Sequence, residues 1–175
     1  HGINDLRIFF IKNKKKIPIY CDTSTKKYLL KNFKYCFEMT PSYPPILELN
    51  SLKKNNIFND YNVKLNIKCI KVKHGKIKCS AFIINNKCAY LSDVSLVYKK
   101  NYKDFKNLNY LVIDCLRYEK HPSHYNLDEV LNLIEILKPK KSILTNLHSD
   151  LDYNELKKKL PKNIIPAHDG MTFNL

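Results

Sequence analysis

No apolar run in the sequence approaches the roughly 18 residues that a membrane-spanning helix needs, and no signal peptide is visible. The expectation is a soluble, cytoplasmic protein. An initiator methionine is also missing: the chain opens on His1, which reads as a fragment or a misplaced start. Cys21, Cys36, Cys69, Cys79, Cys88 and Cys115 are present, yet none forms a C-x-x-C pair. Most lie among apolar residues, as in "NIKCI" and "VIDCL". That context argues for buried free thiols in a reducing compartment and against a zinc knuckle or a disulfide framework. No internal repeat, low-complexity linker or domain boundary stands out. The 175 residues therefore read as one domain, 1–175, with room for a sizeable core.

Two further scarcities are informative. Gly2, Gly75 and Gly170 are the only three glycines, standing in "HG", "HG" and "DG". A chain this poor in glycine keeps it where the backbone needs positive φ or a close approach. Arg7 and Arg117 are the only arginines, so 29 of the 31 cationic residues are lysine. An arginine retained against that bias points to planar, bidentate recognition of carboxylate or phosphate, or to a structural pairing with an acid. The net charge of +15 suits an anionic partner, although abundant Asn, Ile and Tyr alongside the lysine also fit AT-rich coding. The longest lysine runs, 14–16 and 157–159, read as solvated surface.

Strands dominate the first half of the pattern. A short strand is expected at 17–21, a helix at 23–35 capped by Asp22 or Thr23, and an extended segment at "PSYPPILEL". Val63, Leu65, Ile67 and Cys69 alternate with polar residues as in a half-buried strand. "KCSAFIIN" and "KCAYLSD" are two more strands joined through Asn85-Asn86, a hairpin signal. The second half alternates: a buried strand at 110–116, a helix capped by Asn126, a strand at 142–147, a helix at 153–160 and a strand at 164–167. In the first of these helices Leu127, Val130, Leu131, Ile134 and Leu137 follow helical spacing, and Lys138-Pro139 stops it. The class is α/β, a meander feeding βαβ units.

Candidate ligands follow these strands: His74 after the 63–73 strand, Asp93 after "KCAYLS", His121 and His124 between the 110–116 strand and its helix, and His148 after "SILTNL". Side chains in loops at the C-terminal ends of strands are how α/β proteins assemble sites. Histidine with aspartate suits Zn²⁺ or Mn²⁺.

In order along the chain, "HGINDLR", "AYLSD", "LVIDCLRYEKHPSHYNLDEVL", "ILTNLHSDLDY" and "PAHDGM" resemble segments of the metallo-β-lactamase superfamily. The similarity is to a branch that includes the phosphoribosyl 1,2-cyclic phosphate phosphodiesterase of phosphonate breakdown. The resemblance implies an αββα sandwich with two divalent ions, Mn²⁺ or Zn²⁺, and a metal-activated water that attacks a phosphodiester. It implies His74 and His148 as metal ligands, Asp93 as the carboxylate bridging both ions, and His124 as the histidine that handles phosphate or a leaving-group proton. Arg117 and Arg7 are the expected substrate contacts. Three departures stand out: Asn146 where some relatives have His, Asn4 where Asp is usual, and His168 where Tyr is usual.

Family members also carry H-x-H-x-D-H just before the block that here begins with His1. The expected sandwich is therefore N-terminally incomplete, and this chain alone is expected to be impaired, because His74, Asp93 and His148 fall short of the family's about seven ligands. A small, cyclic phosphate ester is the expected substrate, with nucleic acid or a homodimer as alternative partners and no membrane. Two rival readings remain: a basic RNA-binding module, for which the tyrosines and the "KVKHGKIKC" run speak, and an inactive fragment.

Overall fold

A computed structural model describes residues 2–41, 43–60 and 63–175; His1 lies outside the described residues. The chain divides into two compact units, 1–53 and 54–175. In the first, a 3-10 turn (Gly2–Leu6) leads into helix α1 (Arg7–Asn13), which Lys14 ends in a left-handed conformation. Strand β1 (Ile17–Cys21) follows, then α2 (Thr23–Asn32), whose N-cap Asp22 accepts from Thr25 N–H at 2.9 Å. Helix α2 stops three residues short of the expected 35. Lys34–Cys36 tightens into a 3-10 turn instead, and Cys36 is buried with Ile46 and Leu47. Strand β2 (Leu47–Ser51) then pairs parallel with β1.

The second unit is built on a seven-stranded sheet. β3 (Asn55–Asp60), β4 (Val63–His74), β5 (Ile77–Ile84) and β6 (Cys88–Leu91) form an antiparallel meander. After the short helix α3 (Tyr102–Phe105), β7 (Tyr110–Asp114), β8 (Lys141–Thr145) and β9 (Ile164–Pro166) add in parallel beside β6. Helices α4 (Leu127–Leu137) and α5 (Tyr153–Lys159) are the crossovers between them. This is the meander feeding βαβ units that the pattern indicated.

Local chemistry explains several of these elements. Asn85 and Asn86 both take positive φ, 51° and 52°, the conformation of the tight two-residue turn that matches strand twist. Asn126 and Glu129 form a reciprocal capping box at the start of α4, satisfying two donors that a helix end would leave unpaired. Val130, Leu133, Ile134 and Leu137 of α4 pack on Ile70, Val72, Ala81, Ile83, Leu111, Ile113 and Leu144 of the sheet. Burying each large aliphatic side chain there contributes about 1.5–3 kcal/mol. In β4 the expected half-buried positions hold for Leu65, Ile67 and Cys69, whereas Val63 is exposed. The fully covered residues, Ile70 and Val72, belong to the opposite face, which meets the helical layer. All six cysteines are free, with Cys21, Cys36, Cys88 and Cys115 buried. Among the described residues no helix is long and apolar enough to cross a membrane.

Candidate metal centre

Three connecting segments of the second unit meet at one end of its sheet, and backbone hydrogen bonds lace them together. The segment after β6 is tied to the end of β4: Lys73 N–H donates to Leu96 C=O at 3.0 Å, and Ser95 N–H donates to Lys73 C=O at 2.8 Å. Ser95 Oγ accepts from Gly75 N–H at 3.1 Å. The segment after β7 folds back over it, with Tyr125 N–H donating to Val94 C=O and Leu116 N–H to Tyr125 C=O, both at 2.9 Å. The buried Tyr125 hydroxyl oxygen accepts from Val97 N–H at 2.8 Å. Burial pushes this phenol up to about 12.

Gly75 makes the approach of these segments feasible. Its φ is +58°, and a Cβ built on it would lie 3.0 Å from Ser123 Cβ. Both a left-handed backbone and an absent side chain are needed here.

The outcome is a convergence of His74, Asp93 and His124, whose ligand atoms lie within 4.8 Å of one another. The two imidazoles meet edge to face, and their Nε2 atoms stand 3.3 Å apart. His124 Nδ1 lies 2.5 Å from Asp114 Oδ2. Asp114 is fully buried and accepts also from Val94 N–H at 3.1 Å and from Asn146 Nδ2 at 3.0 Å. Burial raises its pKa above the ordinary carboxyl value, and the hydrogen bonds from His124, Val94 and Asn146 act against that rise. With Asp114 as acceptor, the His124 ring proton sits on Nδ1, and Nε2 carries a lone pair. His74 Nδ1 faces Cys79 Sγ at 3.7 Å, a thiol that both donates and accepts weakly, and its Nε2 points towards His124.

Two imidazole nitrogens at this separation either share one proton in a hydrogen bond or hold a cation between them. Two nitrogens each about 2.0–2.1 Å from a tetrahedral ion stand about 3.3–3.4 Å apart, which is the spacing found. The exposed Asp93 adds a carboxylate, whose Oδ2 accepts from Ser92 Oγ at 3.1 Å. The donor set fits one divalent ion, and among the described residues no second group of ligands of this kind converges.

The other sequence candidates fall elsewhere. His148 does not join the group. Its backbone N–H donates to Leu116 C=O and its C=O accepts from Leu151 N–H, so it opens a turn. Its half-exposed ring pairs with Asp150 Oδ1 at 3.0 Å. His148, expected from sequence as a ligand, lies outside the His74, Asp93 and His124 group among the described residues. Arg117 hydrogen-bonds Glu119 C=O at 3.2 Å and Lys120 C=O at 2.8 Å, shaping the loop that carries His121 and His124. Desolvation and the neighbouring charges of Arg117 and His124 hold His121 below its ordinary pKa, and its Nδ1 lies 3.3 Å from Ser123 N–H. Arg7, in the first unit, stacks its guanidinium 4.8 Å above the Tyr43 ring. His168 contacts Asp169 C=O at 3.0 Å.

Asp114 and Asn146 were not read from the sequence as parts of one network. The available signal was an acid inside the apolar run "YLVIDCL", because a buried carboxylate requires partners.

A family model described as Beta-lactamase superfamily domain matches residues 1–146. Among solved structures, the chain is similar to a diphosphatase from the PhnP family at 27% identity and a TM-score of 0.78, over 90% of this chain and 57% of that one. It is also similar to the metallo-β-lactamase-fold protein YhfI from Bacillus subtilis, at 16% identity and a TM-score of 0.71, over 97% of this chain and 71% of YhfI. Human tRNase Z, short form, matches at 14% identity and a TM-score of 0.58, over 90% of this chain and 66% of the human one. A comparison with curated proteins finds no match.

Proposed function

Because the chain belongs to the beta-lactamase superfamily and has the metallo-β-lactamase fold, we propose that it works as a metal-dependent hydrolase of phosphodiesters. The observation that carries this reading is the pair of Nε2 atoms at 3.3 Å with Asp93 beside them. Similarity to a diphosphatase at 27% identity supports a phosphorus–oxygen bond as the target, although this chain spans only 57% of that protein.

His74, His124 and Asp93 would hold one Zn²⁺ or Mn²⁺, a two-imidazole, one-carboxylate set with a coordination position left open. The ion supplies Lewis acidity, polarising a phosphoryl oxygen and acidifying water. Asp114 orients His124 and keeps its proton on Nδ1, an outer-shell role that raises ligand basicity. Asn146 and the Val94 N–H hold the Asp114 carboxylate in place from the other side. With Nδ1 engaged by Asp114 and Nε2 aimed at His74, His124 would serve as a ligand, beside the phosphate- or proton-handling role expected from sequence.

The test is hydrolysis of bis(p-nitrophenyl) phosphate at saturating Mn²⁺ or Zn²⁺. Slow, metal-dependent turnover that disappears in His74→Ala and in chelator is expected. Turnover that persists in chelator, or in His74→Ala, would overturn the reading.

A further inference from the structure

His121 and His124 share one loop yet differ in where the ring proton sits. On His124 it sits on Nδ1, against Asp114. On His121, Nδ1 receives the backbone N–H of Ser123 at 3.3 Å. A backbone N–H can only donate, so this Nδ1 is an acceptor, and the neutral ring carries its proton on Nε2. Ser123 Oγ stands 3.2 Å from the same Nδ1. Among the described residues Nε2 meets no hydrogen-bond partner.

The loop holds this ring firmly. Arg117 donates to Glu119 C=O at 3.2 Å and to Lys120 C=O at 2.8 Å, the two residues just before His121. Pro122 follows it and fixes φ there. Ser123 lies so close to Gly75 that a Cβ on the glycine would stand 3.0 Å from the serine Cβ. The ring stands beside His124, with centroids 5.1 Å apart, and it is only half-buried, so a solute can reach it. It takes no part in the ligand group of His74, Asp93 and His124.

A protonated Nε2 has no lone pair for an ion, but it can donate to an anionic oxygen. A neutral imidazole used in this way polarises the oxygen and keeps its proton. A donor fixed in advance where charge develops stabilises a transition state. We infer that His121 contacts the substrate, donating from Nε2–H to a non-bridging phosphoryl oxygen of a phosphodiester at the His74–His124 centre. Its use in turnover rests on the hydrolase reading; the donor itself does not.

Two substitutions separate the ends of the ring. His121→Asn keeps an acceptor near the Nδ1 position for Ser123 N–H and has nothing at Nε2. His121→Gln places an amide N–H near the Nε2 position. In the Zn²⁺-loaded chain, kcat for bis(p-nitrophenyl) phosphate should fall about 100- to 1000-fold in His121→Asn, with Zn²⁺ affinity near that of the parent. His121→Gln should be the faster of the two. Parent-like kcat in His121→Asn, or a lower kcat in His121→Gln than in His121→Asn, would show that the ring only shapes the loop and overturn the inference. A readout without turnover is the two-bond proton–nitrogen spectrum of the imidazoles, in which the His121 signals are those missing from His121→Asn. A protonated Nε2 and a bare Nδ1 are expected, with Nε2 shifting when inorganic phosphate is added to the Zn²⁺-loaded chain. A proton on Nδ1, or no shift with phosphate, would overturn the inference and leave metal-dependent hydrolysis standing. The expected spectrum and phosphate shift in a chain without metal-dependent hydrolysis would uphold the donor and refute the hydrolase reading.

Discussion

Replacing Gly75 by alanine should damage the metal centre without touching a ligand. Two costs can be separated. Alanine in the left-handed conformation at φ +58° costs about 1–2 kcal/mol. In addition, the new methyl would meet Ser123 Cβ at 3.0 Å, whereas two carbons settle at about 3.5–4.0 Å. The loop carrying Ser123 must then retreat by about half an ångström, and its next residue is His124. A metal site tolerates displacements of about 0.2 Å in its bond lengths. Affinity for Zn²⁺ should therefore fall about 10- to 100-fold, the range seen when the support of a ligand is lost. Gly170→Ala is the matched control, since its φ is +80° but nothing lies within 4 Å of the added Cβ. Urea unfolding should show both variants destabilised, and isothermal titration with Zn²⁺ should show weaker binding in Gly75→Ala alone. Zn²⁺ affinity equal to the parent in Gly75→Ala would refute the argument that this close approach sets the His74–His124 geometry.

Other outcomes follow from buried groups. Asp114→Asn removes an acceptor from a fully buried carboxylate that holds His124, Val94 N–H and Asn146; loss of about 1.5–3 kcal/mol in urea unfolding is expected, with Zn²⁺ affinity about 10- to 100-fold weaker. The Tyr125 phenol, held neutral up to about 12, keeps its proton in the native state after the unfolded chain has lost it near pH 10. Its contribution is thus complete below pH 10 and lost as pH rises towards 12, up to about 3 kcal/mol. Unfolding free energies at pH 9 and 11.5 for the parent and Tyr125→Phe should diverge in that direction, and parallel curves would count against it.

Legibility in the sequence divides along the range of the interactions. The Asn85-Asn86 hairpin and the Asn126 cap depend on neighbours within a few residues, so residue type alone announced them. β3 went unread because "NNIFND" shows no clean alternation; its pairing with β4, and not its own composition, makes it a strand. At the site, His74 and Asp93 stood out as residues ending strands, and the structure does bring their side chains together. His148 stood out by the same rule, yet its turn retains it. Selection between His124 and His148 depends on the contact of Gly75 with Ser123 and on the Tyr125 bridge to Val94 and Leu116. The contacts of Gly75 with Ser123 and of Tyr125 with Val94 join segments dozens of residues apart, and no local pattern encodes them. Asp114 was concealed for a different reason: a carboxylate inside an apolar strand looks like part of the strand until its three donors are known.

The central claim is that His74, Asp93 and His124 form one metal site. Equilibrium dialysis against Zn²⁺, with metal content read by plasma mass spectrometry, tests it most directly across the parent chain, His74→Ala, His124→Ala and His148→Ala. The account predicts one Zn²⁺ per chain in the parent and in His148→Ala, and loss of the ion in His74→Ala and His124→Ala. Retention of the ion by His124→Ala, or its loss from His148→Ala, would contradict it.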